Sequence, residues 1–166
     1  MDRIRQEAKR IQEQSLWAAE RHYAAETPWY IWNYLLGIPT TILAAVAGAA
    51  AFSKVNNSEF VAGCISILVA ILTSLITLLD PHKKASIHHN SAKAYETLYH
   101  NSDFFYRIES LNEMVDLQEL EKKLHDLNSK LNELNQSSPA IPGRAYRIAE
   151  QNIKAGKGEV IRVPEE

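Results

Sequence analysis

Two stretches of this chain carry no charge. Residues 29–52 form an uncharged, mostly apolar run of 24, and residues 60–79 form another of 20. At a rise of about 1.5 Å per residue, each is long enough to cross a hydrocarbon core of about 30 Å, so the pattern predicts two transmembrane helices. Outside them, apolar positions recur at helical spacing among charges. Ile4, Ala8, Ile11, Ala18 and Ala25 predict a helix over residues 2–26, with Trp17 and Tyr23 resting on neighbouring helices or lipid. Ile87, Ala94, Leu98, Phe105, Ile108 and Leu111 predict another over residues 81–115. Asp116 with Glu119 has the spacing of a capping box, so a further helix should start there. The Pro-rich stretch 136–143 must end it, and a helix resumes over residues 144–154 with Ala145, Ile148, Ala149 and Ile153 on one face. A polar tail follows, with a short strand expected at residues 160–163.

The expected fold is therefore an all-α membrane protein: a two-transmembrane helical hairpin with long cytoplasmic helices forming a helical bundle. Its parts are an amphipathic helix over residues 1–28, the hairpin over residues 29–79, a cytoplasmic helical region over residues 80–155 and the tail over residues 156–166. The seven-residue link SKVNNSE is rich in turn formers and too short for anything but antiparallel neighbours. Thr27 and Pro28 suit an N-cap and first helical position, as do Asp80 and Pro81 for the following helix. Trp29, Tyr30, Trp32 and Tyr34 cluster where the first span would enter the bilayer, and Phe52 and Phe60 bracket the far turn. Lys9, Arg10 and Arg21 precede the spans and Lys83, Lys84 and Lys93 follow them, against Lys54 alone in the turn. Both termini are thus expected in the cytoplasm. A cleaved signal peptide is the weaker reading of the first run, which is too long and is preceded by a charged segment.

Charge sharpens this division. The 166 residues average 46% hydrophobic with a net charge of -2, yet 36 of the 38 Asp, Glu, Lys and Arg residues lie outside residues 29–79, where only Lys54 and Glu59 occur. There is no basic footprint for nucleic acid. The single Cys64 excludes an intramolecular disulfide. No phosphate loop, metal-ligand spacing or nucleophile elbow occurs, so no catalytic, cofactor-binding or metal residues are assigned and no enzyme is expected.

Within the spans, small and hydroxyl residues share faces. The first carries Asn33, Gly37, Thr40, Thr41, Ala44 and Gly48; the second carries Gly63, Ser66, Ala70, Thr73, Ser74 and Thr77. Such faces mean close helix packing, with hydroxyls bonded to their own backbone, or a surface lining an aqueous path when several hairpins assemble. One hairpin has too few helices to enclose a pore. No Asp, Glu, Lys, Arg or His lies within either span, so any pore would be weakly selective. Pro39 predicts a kink. In the cytoplasmic part, Leu117, Leu120, Leu124, Leu127, Leu131 and Leu134 alternate by three and four, as a seam against the preceding helix or as a contact between subunits. His82, His88, His89 and His100 follow the second span. His88 and His89 point about 100° apart on a helix, which favours packing roles over metal binding or pH sensing, and Tyr95 shares the face of His88.

The charged first helix bearing Trp17, the two spans, the segment LDPHKKASIHHNSAKAYETLYH over residues 79–100 and SSPAIPGRAYRIAEQNI over residues 137–153 together resemble SLATT domains, the two-transmembrane effectors associated with SMODS nucleotidyltransferases and SLOG sensors. The resemblance covers nearly the whole chain and brings no catalytic residues with it. It implies a membrane effector of a bacterial nucleotide-signalling or antiphage conflict system, a homo-oligomer in the inner-membrane bilayer that forms a weakly selective pore and kills or arrests the infected cell. No fused sensor is recognisable, which implies a separate nucleotide-sensing protein or nucleotidyltransferase partner. The alternative expectation is a non-conducting membrane anchor or scaffold that recruits a cytosolic enzyme or sensor.

Overall fold

The computed structural model describes residues 2–55, 57–111, 116–158 and 160. Among the described residues five α-helices follow one another: α1 (Asp2–Ala51), α2 (Ser58–Leu79), α3 (Pro81–Arg107), α4 (Leu117–Ser137) and α5 (Gly143–Lys154), with one 3₁₀ turn at Glu109–Leu111. The described residues contain no strand. The strand expected at residues 160–163 lies outside them except for Val160. The chain divides into two compact units, residues 1–26 with 86–166 and residues 27–85, to which α1 and α3 both contribute.

The expected break at Thr27 and Pro28 does not occur. Both residues, and Pro39, lie inside α1, which runs for 50 residues. A proline in a helix interior removes one backbone donor and crowds the carbonyl four residues back, so each is a local weak point through which the helix nevertheless continues. Asp80 and Pro81 behave as the spacing predicts. Asp80 adopts a left-handed backbone (φ 41°, ψ 58°) that ends α2, and its carboxylate accepts the Lys83 N–H at 3.2 Å while its carbonyl accepts the Lys84 N–H at 3.1 Å. Replacing Asp80 with Ala should cost about 1–2 kcal/mol of thermal stability, because it removes the cap and places a side chain without a polar anchor in the left-handed region. Asp80→Asn should retain most of it, which calorimetry of the two variants would resolve. Asp116 precedes α4, but its side chain makes no cap bond; only its carbonyl accepts the Glu119 N–H, at 3.0 Å. The expected reciprocal box is therefore absent.

In the unit of residues 27–85, α1 and α2 are both long and apolar enough to cross a membrane, and only 6% of each apolar window is buried. The less exposed positions form two seams spaced by three and four: Asn33, Leu36, Gly37, Thr40, Leu43, Ala47 and Ala50 on α1, and Ala62, Ile65, Val69, Leu72 and Ile76 on α2. This spacing places the less exposed residues along one face of each helix.

In the other unit, α1, α3 and α4 pack around two apolar clusters. Ile11, Ala19, Tyr95, Leu98, Leu131 and Leu134 form one; Ile4, Ala8, Phe105 and Leu120 form the next. A third, Ala24, Ala25, Ala145 and Ala149, joins α5 to α1, where four methyl-sized side chains permit close approach. The buried stripes differ from those expected. On α3 the stripe of this unit is His88, Ala92, Tyr95, Leu98, Ser102 and Phe105, whereas Ile87 and, just past the helix, Ile108 are exposed. On α1 it passes through Ser15, Ala19 and His22 rather than Ala18. Ser15 is accommodated because its hydroxyl donates to the Ile11 carbonyl at 2.8 Å.

Candidate functional site

The two small-residue faces behave differently. On α1, Asn33, Gly37 and Thr40 are half-buried in the seam, while Thr41, Ala44 and Gly48 are exposed. On α2 the whole set, Gly63, Ser66, Ala70, Thr73, Ser74 and Thr77, is exposed, because Ala62, Ile65, Val69, Leu72 and Ile76 occupy the seam. An added Cβ at Gly37, Gly48 or Gly63 would meet nothing within 4 Å. Within one chain, then, these glycines are not sites of tight helix contact. Four hydroxyls donate to their own helix one turn back: Thr40 to the Leu36 carbonyl at 2.6 Å, Thr41 to Gly37 at 3.0 Å, Ser74 to Ala70 at 2.8 Å and Thr77 to Thr73 at 2.9 Å. Such bonds make a hydroxyl tolerable in lipid and leave its oxygen lone pair available as an acceptor.

The leucine ladder is taken up by the chain's own core. Leu120, Leu131 and Leu134 are buried, Leu124 and Leu127 are partly buried against α1 and α3, and Leu117 alone is exposed, at 49%. Within one chain, then, the ladder apart from Leu117 packs against α1 and α3, as the intramolecular reading expects.

The third constellation is polar and buried. His22 of α1 and His88 of α3 meet with their Nδ1 atoms 3.1 Å apart, so one donates and the other accepts. His22 also stacks on Tyr95, with ring centroids 5.6 Å apart and planes 17° apart. The face shared by His88 and Tyr95 is thus completed by His22, 66 residues away from His88 and at no signalling spacing in the sequence. The Tyr95 hydroxyl donates to Asn135 Oδ1 at 2.9 Å, tying α3 to α4. Burial, reinforced by the neighbouring His88, lowers the His22 pKa to about 4, and burial lowers that of His88. Both rings are neutral at physiological pH. His89, turned away as expected, places Nδ1 3.1 Å from both Glu26 carboxylate oxygens.

Beside them, the Tyr23 hydroxyl donates to Glu96, which also accepts from Lys93 Nζ at 2.9 Å. Burial and the Glu96 carboxylate push the Tyr23 hydroxyl up to about 12, and its partners Glu96 and Tyr23 raise Lys93 to about 12. Burial acts to raise the Glu96 pKa, but hydrogen bonds from Tyr23 and Lys93 outweigh it and hold the carboxyl below its usual range. These groups hold helices together in fixed ionisation states. Among the described residues no three His, Cys, Asp or Glu side chains converge as a metal site would require.

Fold and site define a class: an all-helical protein with two long apolar helices and a separate helical bundle held by buried polar contacts. Comparison with protein-family models, curated proteins and solved structures finds no match.

Proposed function

We propose that the chain is a membrane effector whose two apolar helices insert as a transmembrane hairpin and assemble with other copies into a weakly selective pore. The observation that carries this is the exposed face of α2. Gly63, Ser66, Ala70, Thr73, Ser74 and Thr77 lie off the α1–α2 seam, so hydroxyls and small groups are presented outward on a helix otherwise covered with Ile and Leu. In a bilayer such a face is served by another helix or by water, since lipid offers it neither packing nor hydrogen bonds. Several copies arranged around it would form a path with no charged ring and hence little selectivity. The low burial of both apolar windows supports insertion, because a core helix of a soluble protein would be covered. On this reading both termini are cytoplasmic, the membrane is the bacterial inner membrane, and the chain acts in a conflict system with a separate sensor, as the resemblance to SLATT domains implies.

Purified full-length protein in liposomes should release small dyes and ions under conditions in which it assembles. Ser66→Leu, Thr73→Leu and Thr77→Leu together should bring release down to that of empty liposomes without preventing assembly. Assembly without passage of ions or dye by the unaltered protein would overturn the pore.

The scaffold reading is favoured by a different observation. Thr40, Thr41, Ser74 and Thr77 are each satisfied by their own helix and need no water. A non-conducting anchor would leave dye inside the liposomes while still recruiting a cytosolic protein, and the triple leucine variant would not alter that recruitment.

A further inference from the structure

A groove of about 680 Å³ runs across the helical bundle where α1 faces the end of α4 and α5, with Arg10, Trp17, Arg21, Asn135 and Tyr146 among the residues lining it. Its volume lies in the range of small-molecule sites, and its walls combine aromatic rings with amide and guanidinium donors. The charges along it are not equivalent. Arg10 is held by Glu7 and also donates to Gln14 at 3.0 Å and Asn128 at 3.1 Å. Glu13 faces Lys9 at 3.8 Å, and Glu150 accepts from Lys154 at 2.6 Å. Arg21 makes no ion pair or hydrogen bond with the described residues, and its Nε is buried without a partner. Its guanidinium lies instead over the Tyr146 ring, 4.4 Å from the centroid, with the Trp17 ring 5.6 Å away.

Stacking on an aromatic face fixes the plane of a guanidinium and leaves its in-plane N–H groups unused. That geometry matches two coplanar oxygens on a single anionic group. Because the groove's other charges are already compensated nearby, the unmet requirement is one negative charge, not a multivalent anion. The Tyr95 hydroxyl occupies Asn135 Oδ1, so the amide N–H groups of Asn135 remain to donate.

We propose that this groove is a binding site for a small organic monoanion, a carboxylate or a phosphodiester, anchored on Arg21 and flanked by Trp17 and Tyr146. The site stands independently of whether the two apolar helices conduct.

The Arg21 Nε–Hε resonance of full-length protein in detergent, assigned by its loss in Arg21→Lys, reports the site directly. Titration at constant ionic strength with benzoate and, separately, with dimethyl phosphate should move it saturably, with a dissociation constant of about 1–10 mM for a fragment of this size. The arm that binds more tightly identifies the anionic group. Trp17 fluorescence in a Trp29→Phe, Trp32→Phe background should follow the same curve, since the chain has three tryptophans. Tyr146→Leu should weaken binding about tenfold, by removing the ring that orients the guanidinium. Arg21→Lys, which retains charge but not the planar fork, should weaken it comparably in the fluorescence titration. No saturable response to either anion from folded protein would overturn the proposal. So would a Trp17 response unchanged in both variants while circular dichroism shows them folded.

Discussion

Truncation of Leu131 to Ala should lower the unfolding free energy by about 2–5 kcal/mol, the usual cost of emptying a fully packed leucine site. Leu131 is 2% exposed and packs with Ile11, Ala19, Tyr95, Leu98 and Leu134, so α1, α3 and α4 would all border the resulting cavity. At about 2–4 °C per kcal/mol for a chain of this size, the thermal midpoint should fall by roughly 4–20 °C. Leu117→Ala, at the exposed end of the same ladder, should change stability by less than about 1 kcal/mol. The pair also tests where the ladder acts. If the leucines hold one chain's bundle together, Leu131→Ala destabilises the fold while the folded fraction keeps the particle mass of the unaltered protein in detergent. A fall in particle mass with unchanged thermal stability would reverse the assignment and return the ladder to the subunit interface.

Acidification should destabilise the bundle well before most carboxylates titrate. In the folded state His22 ionises at about 4, against an ordinary value of 6.5, so the unfolded chain binds protons more readily over that interval. The contribution of the neutral buried ring is fully present above pH 6.5. It is lost progressively as the pH falls from 6.5 towards 4, where the loss reaches about 3 kcal/mol at 1.36 kcal/mol per unit. His88, also lowered by burial, acts in the same direction, and the two titrate as a pair because their Nδ1 atoms are 3.1 Å apart. The lowered carboxyl groups of Glu7, Glu96 and Glu150 lose their partners only below the ordinary carboxylate range, which leaves pH 6.5–5 to the histidines. Denaturant unfolding at intervals between pH 7.5 and 5 should therefore show a steady decline. His22→Phe, which keeps a ring against Tyr95 but cannot ionise, should flatten it. A stability independent of pH over that window would remove the buried pair as its source.

Both predictions depend on residues whose roles the amino-acid pattern announced to different degrees. The leucine ladder was legible because an apolar residue every three or four positions commits a helix to burying that face, but two faces can satisfy that demand. The packing of α4 onto α1 and α3 shows the intramolecular demand met within one chain. The histidine pair was half legible. His88 and Tyr95 share a face by helical spacing, yet His22 sits among charged neighbours on another helix, and no periodicity in hydrophobicity marks a polar residue as buried. The same reason hid Ser15 from the stripe of α1 and led Ile87 and Ile108 to be placed inside when they lie outside. Arg21 enters the sequence pattern only as a basic residue before the first span, and it is the fold that brings Tyr146 of α5 against it beside Trp17.

What the amino-acid order determined by itself was the division of the chain: the uncharged windows, their length, the helical character on both sides and the turn residues at Asp80, Pro139 and Pro142. These follow from local rules, since charge, backbone donors and apolar period act within a few residues of where they occur. Tertiary structure alone decided which face of each helix was covered. It covered Ala62, Ile65, Val69, Leu72 and Ile76 in part and left Ser66, Thr73, Ser74 and Thr77 outward, and it brought His22 to His88 and Tyr146 to Arg21. A helix bearing small residues on one side and branched residues on the other can pack by either. The choice depends on how closely the partner's surface fits each side, and that partner lies beyond the reach of local sequence.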